Sequence, residues 1–228
     1  MLFRKKAHIC LYTAIYGPRE QGVSQRWLEL GFPVICFSDR NDLNLGDVKL
    51  INGSSIATDP NRSAKFYKMN PQFVLPDYQY TIWFDACLHP NYFDVEALVD
   101  SVLGSSEIAL FAHPERSCLY QEATVCIEHK RDSVERITTQ INRYRALNFP
   151  ESYGLYAGGF LVRPQHNPRS QALNELWWRE IVHGSRRDQL SFPYVARELA
   201  IKPIVIPGSI WENELFTCAP HAGEELSG

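Results

Sequence analysis

YQYTIWFD, residues 78–85, decides how this chain is read. Its β-branched and aromatic residues suit a pleated strand, and the apolar run Ile82-Trp83-Phe84 ends on a carboxylate, Asp85. A carboxylate at a strand tip adds little to packing. It is placed either to cap the turn before His89-Pro90 or to meet a metal or a sugar hydroxyl.

Outward from this strand, strand-like and helix-like stretches alternate. Residues 8–14 (HICLYTA), 33–38 (PVICFS) and 48–51 read as strands, with helical stretches over 25–30 and 63–69. Beyond Asp85, residues 107–112, 158–162 and 202–206 read as strands, the last one buried. Residues 94–103, 120–147 (broken near Arg131-Asp132), 170–182 and 187–199 read as helices. The alternation predicts an α/β fold with a mostly parallel central sheet flanked by helices. One domain over residues 1–228 absorbs the chain, with its core at about 8–207 and a flexible polar, acidic tail at 219–228.

Composition narrows the class. Of 228 residues, 45% are hydrophobic and 21% charged, the balance of an ordinary globular protein. A net charge of −3 and no basic stripe argue against a nucleic-acid partner. The six cysteines are scattered without a C-x-x-C pair, which predicts reduced thiols in a cytoplasmic protein. No apolar run approaches the roughly 20 residues needed to cross a bilayer. Arg4, Lys5 and Lys6 allow at most a peripheral contact with anionic lipid.

In an open α/β sheet, ligands gather beyond the carboxyl ends of strands. Thr13 and Tyr16 follow the first strand, Asp39 the second, Asp85 the fourth and His113 the fifth. Asp39 reads equally as a turn residue. Arg62, Lys65 and Lys68 lie between two strands, the lysines on one helical face; they suit a diphosphate or a solvated surface. Ser185-Arg186-Arg187-Asp188-Gln189 opens a helix, where Asp188 serves as a cap or as part of a sugar- or phosphate-binding cluster. His113-Pro114-Glu115-Arg116, followed by Tyr120, Gln121 and Glu122, supplies groups for acid–base work or polar contacts. Trp177 and Trp178 point about 100° apart on one helix, so one belongs to the core and the other to a groove or loop. G-x-S-x-G, Walker A, G-x-G-x-x-G and H-E-x-x-H are all missing from the sequence, which removes the motif support for the corresponding hydrolases, NTPases, dehydrogenases and zincins.

Taken together, these pieces resemble a known pattern. Arg62-Ser-Ala-Lys65 through Leu75-Pro-Asp77 to Ile82-Trp83-Phe84-Asp85-Ala86 resembles the approach to the DxD motif in GT-A-fold glycosyltransferases, notably family 8. The chain resembles more closely a glycosyltransferase-like family long catalogued as a domain of unknown function. That family has polysaccharide-associated bacterial members and plant members linked to wall polysaccharides and ceramide metabolism. Tyr12-Thr13-Ala14-Ile15-Tyr16-Gly17, His113-Pro-Glu-Arg116, Gly154-Leu-Tyr156, Arg163, His166-Asn167, Trp177-Trp178 and Ser185-Arg-Arg-Asp188-Gln189-Leu-Ser191-Phe carry the likeness, over roughly residues 8–205.

The resemblance implies a GT-A-like domain. It would move a sugar, hexosyltransferase-like, from a UDP- or GDP-linked donor to a glycan or glycolipid acceptor in polysaccharide or cell-surface glycan synthesis. Thr13, Ala14, Tyr16 and Asp39 would hold the nucleoside, Lys65 the phosphates, and Asp85 the diphosphate or donor sugar. Asp188 and Gln189 would contact the transferred sugar or serve near the reaction centre, with Arg187 also in the donor site. Asp188, then Glu115, is the first choice of base, with His113 on the acceptor side. The resemblance also implies Mg²⁺ or Mn²⁺ at Asp85. The triplet, however, is Asp85-Ala86-Cys87, with a soft thiol in place of the second carboxylate. A metal-independent site, with Lys and Arg in the cation's place, therefore stays open. Two other readings stand beside transfer. One is a metal-assisted hydrolase of an amide or glycosidic bond using Asp85 with His89 or His113. The other is a sugar-binding module without turnover.

Overall fold

The computed structural model describes residues 8–218 except 104 and 105. The basic start and the expected tail at 219–228 lie outside the described residues. In chain order the elements are β1 (Ile9–Ala14), α1 (Arg26–Glu29), β2 (Val34–Ser38), β3 (Lys49–Asn52), α2 (Pro60–Met69), α3 (Pro71–Val74), β4 (Tyr80–Phe84) and β5 (Leu88–Pro90). There follow α4 (Val95–Leu103), β6 (Ala109–Ala112), α5 (Leu119–Glu128), α6 (Val134–Ala146), β7 (Tyr156–Pro164), α7 (Pro168–His183), α8 (Asp188–Glu198), β8 (Ile204–Val205) and β9 (Phe216–Cys218).

Seven strands form the central sheet in the order β3-β2-β1-β4-β7-β6-β8, and β5 pairs with β9 in a separate two-stranded sheet. All neighbours in the large sheet run parallel except around β7, which is antiparallel to both β4 and β6. The sheet is thus mostly parallel, as expected. Side chains alternate between two cores: Tyr12, Trp83 and Leu161 face one, Leu11, Ile82 and Val162 the other. Both faces are covered, which is why these strands read as continuous apolar runs.

Local signals explain the helix starts. Asp59 accepts a hydrogen bond from the Asn61 amide at 3.0 Å, and Pro60 follows as the first helical residue. Helix α2 therefore begins three residues before the expected start at Ser63. Asn167 caps α7 in the same way, accepting from the amides of Arg169 and Ser170, with Pro168 next. The break expected near Arg131-Asp132 is present, and Ser133 caps α6.

Two expectations are corrected. The last strand is not buried: β8 is two residues long and both are exposed at the sheet's edge, so its apolar residues have a partner on one side only. The strand expected over 158–162 is the longer β7, and it runs against its neighbours, a polarity on which periodicity carries no information. Between Leu110 and Phe111 the β6–β7 register jumps from Leu161 to Ala157. Gly158, Gly159 and Phe160 lie in that irregular stretch, and the pair of glycines bears on the site.

A carboxylate–lysine cluster at the carboxyl edge of the sheet

Strand β4 delivers Trp83 and Asp85 to the edge of the sheet on the face covered by α2, α7 and α8. The Asp85 amide donates to the Gly159 carbonyl at 2.7 Å, tying the end of β4 to β7. The Trp83 indole Nε1 donates to Asp85 Oδ1 at 2.8 Å and fixes the carboxylate's orientation. From α2, Lys65 and Lys68 project one turn apart. Both donate to Asp188 Oδ2 at the first position of α8, at 2.7 and 2.5 Å. The Lys68 ammonium lies 3.8 Å from Asp85 Oδ1, so it bridges the two carboxylates. Of the two readings of these lysines, a diphosphate ligand or a solvated face, the solvated face is thereby corrected.

Exposure separates the four side chains: Lys68 is 1% exposed and Asp188 6%, whereas Lys65 is 20% and Asp85 43%. The inner pair is structural ground, and the outer pair can meet a ligand. Burial alone would raise the Asp188 pKa, but the two ammonium charges outweigh it and hold the carboxyl well below its usual range. Burial and the neighbouring Lys68 charge bring Lys65 down to about 8. Lys68 moves the other way: burial works against its charge, and Asp188 and Asp85 more than compensate.

The cluster closes only because β7 is bare beside it. A Cβ on Gly158 would stand 2.7 Å from Asp188 Oδ2 and 3.0 Å from Lys68 Nζ. One on Gly159 would stand 3.3 Å from Asp85 Oδ2. Asp188 is further held from behind. The buried Trp177 indole donates to the Asp188 carbonyl at 3.2 Å and packs on Phe192. Trp178 is half-buried and meets Phe66 of α2 edge-on at 5.4 Å, so the two tryptophans divide core and periphery. The segment before Asp188 is pinned by Asp132, which accepts from Ser185 Oγ at 2.9 Å and the Arg186 amide at 2.7 Å. Arg62 is a staple rather than a phosphate ligand: it donates to the carbonyls of Ile181 and of Gly184, the cap of α7.

A second polar group adjoins the first through Arg187. Glu122, buried on α5, accepts from Arg116 Nε at 2.8 Å. It also lies 3.6 Å from His113 Nε2. The His113 Nδ1 atom accepts from the amides of Glu115 and Arg116, which puts the ring proton on Nε2. Burial lowers the His113 pKa, with Arg116 and Arg187 adding to it, so the ring is neutral at pH 7. Glu115 is exposed and pairs with Arg116 at 2.7 Å. Arg187 Nη2 donates to Gln189 Oε1 at 2.7 Å, and its buried Nε has no hydrogen-bond partner.

The expected nucleoside residues divide. Asp39 is exposed just beyond β2. Ala14 and Tyr16 share the face of Tyr12, and Tyr16 is buried, stacks on Tyr67 at 5.5 Å and donates to the Gly53 carbonyl. Thr13 is corrected: it is fully buried and faces the opposite core with Leu11 and Ile15, so it cannot touch a ligand in this cleft.

Asp85 is a poor start for a protein-held divalent cation. One of its oxygens already faces the Trp83 indole and the Lys68 ammonium. Cys87 is no second ligand: its sulfur lies 3.6 Å from Cys218, and that contact and burial push its pKa far up, so it remains a thiol. Asp188 is spent on the two lysines. Among the described residues no three His, Cys, Asp or Glu side chains gather as a metal site. The residues gathered at Asp85 do not fit Mg²⁺ or Mn²⁺ held by the protein alone.

A mostly parallel sheet with an accessible carboxylate and ammonium at its carboxyl edge defines an α/β protein with a ligand cleft at that edge. The chain belongs to the TOD1/MUCI70 glycosyltransferase-like domain family, whose model matches residues 40–218. Two solved structures are distantly similar in shape. Mouse xyloside xylosyltransferase 1, in its apo form, is 13% identical with a TM-score of 0.47, over 87% of this chain and 84% of that one. A glycosyltransferase involved in the glycosylation of the major capsid of PBCV-1 is 10% identical with a TM-score of 0.48, over 87% of this chain and 81% of that one. No curated protein matches the sequence. Among the described residues no helix is long and apolar enough to cross a membrane.

Trp83, Gly158 and Gly159 complete the site and carry no functional reading in the sequence analysis. A signal existed for the glycines, since Gly-Gly inside a strand marks a close approach. None existed for the indole that orients Asp85.

Proposed function

We propose that this protein transfers a sugar, as a hexosyltransferase, from a UDP- or GDP-linked donor to a glycan or glycolipid acceptor in polysaccharide or cell-surface glycan synthesis. One observation carries the reading. At the sheet's carboxyl edge, a half-exposed carboxylate stands beside a partly exposed ammonium over a buried, rigid ion cluster. A nucleotide sugar offers a complement to both, hydroxyls for Asp85 and phosphate for Lys65. Asp39 and Tyr16 edge the nucleoside side, Arg187 and Gln189 the transferred sugar, and His113 with Glu115 the acceptor. The four buried thiols Cys10, Cys36, Cys118 and Cys126 support a reducing, cytoplasmic setting.

Asp188 fits electrostatic support better than proton abstraction. A carboxylate held so far below its usual range is a weak base. Neutral His113 has its Nδ1 lone pair engaged, and Glu115 is tied to Arg116. This favours a path in which the acceptor attacks the face the nucleotide leaves. The departing phosphate oxygen then takes the hydroxyl proton, and the configuration at the anomeric carbon is retained.

The test is a thermal-shift panel of UDP- and GDP-sugars, with Mn²⁺ and with chelator. A ligand at a hundred times its Kd adds about 2.7 kcal/mol, a rise of roughly 5–10 °C for a chain this size. At least one nucleotide should stabilise the protein equally with chelator, and Asp85→Asn should lose more than tenfold in transfer rate while keeping its melting point. Stabilisation by none of the donors, or full activity in Asp85→Asn, would sink the proposal.

A further inference from the structure

The C-terminal strand β9 and the turn that carries Asp85 meet through two sulfurs. Cys87 lies two residues after Asp85, in a turn closed by the Leu88 amide donating to the Asp85 carbonyl at 2.9 Å. Cys218 ends β9, which pairs antiparallel with β5 in the register Leu88↔Cys218, His89↔Thr217 and Pro90↔Phe216. The two Sγ atoms are 3.6 Å apart although the residues are 131 positions apart in sequence. The same C-terminal stretch brings Ile210, which packs on the core that holds Leu11 and Ile82, near Gly159: a Cβ there would stand 3.2 Å from Ile210 Cδ1 and 3.3 Å from Asp85 Oδ2.

We propose that Cys87 and Cys218 are a reversible disulfide site that latches the C-terminal strand to the Asp85 turn. The β5–β9 ladder holds Cys218 opposite Leu88, next to Cys87, and the sulfurs have to close from 3.6 Å to about 2.05 Å. Access selects this pair: Cys218 is exposed and Cys87 half-buried, whereas Cys10, Cys36, Cys118 and Cys126 are buried. Reactivity agrees, since the contact with Cys87 lowers the Cys218 pKa and leaves it the better nucleophile. The oxidant is a peroxide. Cys218 attacks one peroxide oxygen and becomes a sulfenic acid, releasing one water. The Cys87 sulfur then attacks that sulfur while the Cys87 thiol proton passes to the departing hydroxyl, forming the S–S bond and releasing a second water. Two sulfurs are oxidised and one peroxide is reduced. Pulling the turn by about 1.5 Å displaces Asp85 from the position set by Trp83 and Gly159, and a shift of that size is costly to a site that positions a reacting group. The oxidised form is therefore the less active one. This last step rests on the proposed donor site; the disulfide itself does not.

The experiment treats the full chain with hydrogen peroxide and maps peptides without reduction. The expected product is one linked pair of peptides containing Cys87 and Cys218, reversed by dithiothreitol and missing in Cys218→Ser. Hydrogen exchange should slow at residues 85–90 and 216–218, and the melting point should rise by roughly 5–10 °C. Affinity for the nucleotide that the thermal-shift panel identifies should fall roughly threefold or more on oxidation. No linked peptide, or Cys218 oxidised without the link, overturns the proposal. A linked peptide with unchanged affinity overturns the control of the site. If neither redox form binds any nucleotide, the donor reading fails and the peptide map still decides the disulfide.

Discussion

Replacing Asp188 by Asn keeps the shape of the side chain and removes the charge that two lysines share. Lys68 is 1% exposed and would keep only Asp85, 3.8 Å away, as a counter-ion. Lys65 would lose its 2.7 Å partner. Breaking a buried pair by removing one member costs about 3–5 kcal/mol, because the remaining charge is stranded in a low dielectric. The residual Asp85 contact argues for the lower end, about 3 kcal/mol. In urea unfolding this lowers the midpoint by about 1 M. The linkage sign follows from the depressed folded-state pKa. The contribution of Asp188 is complete above its unfolded pKa, and it fades as pH falls below that value toward the folded one. The stability gap between wild type and Asp188→Asn should therefore narrow from pH 6 to pH 3. Adding Lys68→Met to Asp188→Asn should restore at least about 1 kcal/mol, since it removes the stranded charge. A loss under about 1 kcal/mol in the single variant, or strictly additive losses in the double, would show that the cluster is not a coupled buried unit.

Lys65 titrates near 8, so its ammonium is lost as pH rises through that value. Nucleotide affinity measured by calorimetry should weaken between pH 7 and pH 9, and Lys65→Arg, which stays charged, should flatten the profile. Gly158→Ala drives a methyl group to 2.7 Å from Asp188 Oδ2, where the ion pair leaves no room to yield. Its expected cost is about 1–3 kcal/mol of stability, together with loss of transfer, and a neutral outcome in denaturant melts would mean that β7 does not press on the cluster. Trp177→Phe keeps much of the packing but withdraws the donor from the Asp188 carbonyl. About 1–2 kcal/mol should be lost in urea melts, and a variant as stable as wild type would remove Trp177 from the support of Asp188.

Much of the architecture was legible because local chemistry and burial agree along the chain. Ile82-Trp83-Phe84 is apolar because helices cover both sides of β4, and Asp85 is polar because the strand ends there. Asn167-Pro168 marks the start of α7 through a cap that needs only neighbouring residues. Adjacent tryptophans on one helix must diverge, and they do. Direction and distant pairing were not legible. Nothing in residues 156–164 says that β7 runs against its neighbours, and strands as short as β5 and β9 have no periodicity to read.

The sequence by itself determined the longer elements, the alternation that makes most of the sheet parallel, and the position of Asp85 at a strand tip, since each rests on residues a few positions apart. Only the tertiary structure decided what those residues do together. Lys65 and Lys68 come from α2, Asp85 from β4 and Asp188 from α8, and their charges matter through ångström distances set by the packing of α2, α7 and α8 on the sheet. The same packing turned Thr13 into the opposite core and spent Arg62 on a helix end. Coulomb energy depends on separation and dielectric, and neither can be read from spacing along a chain.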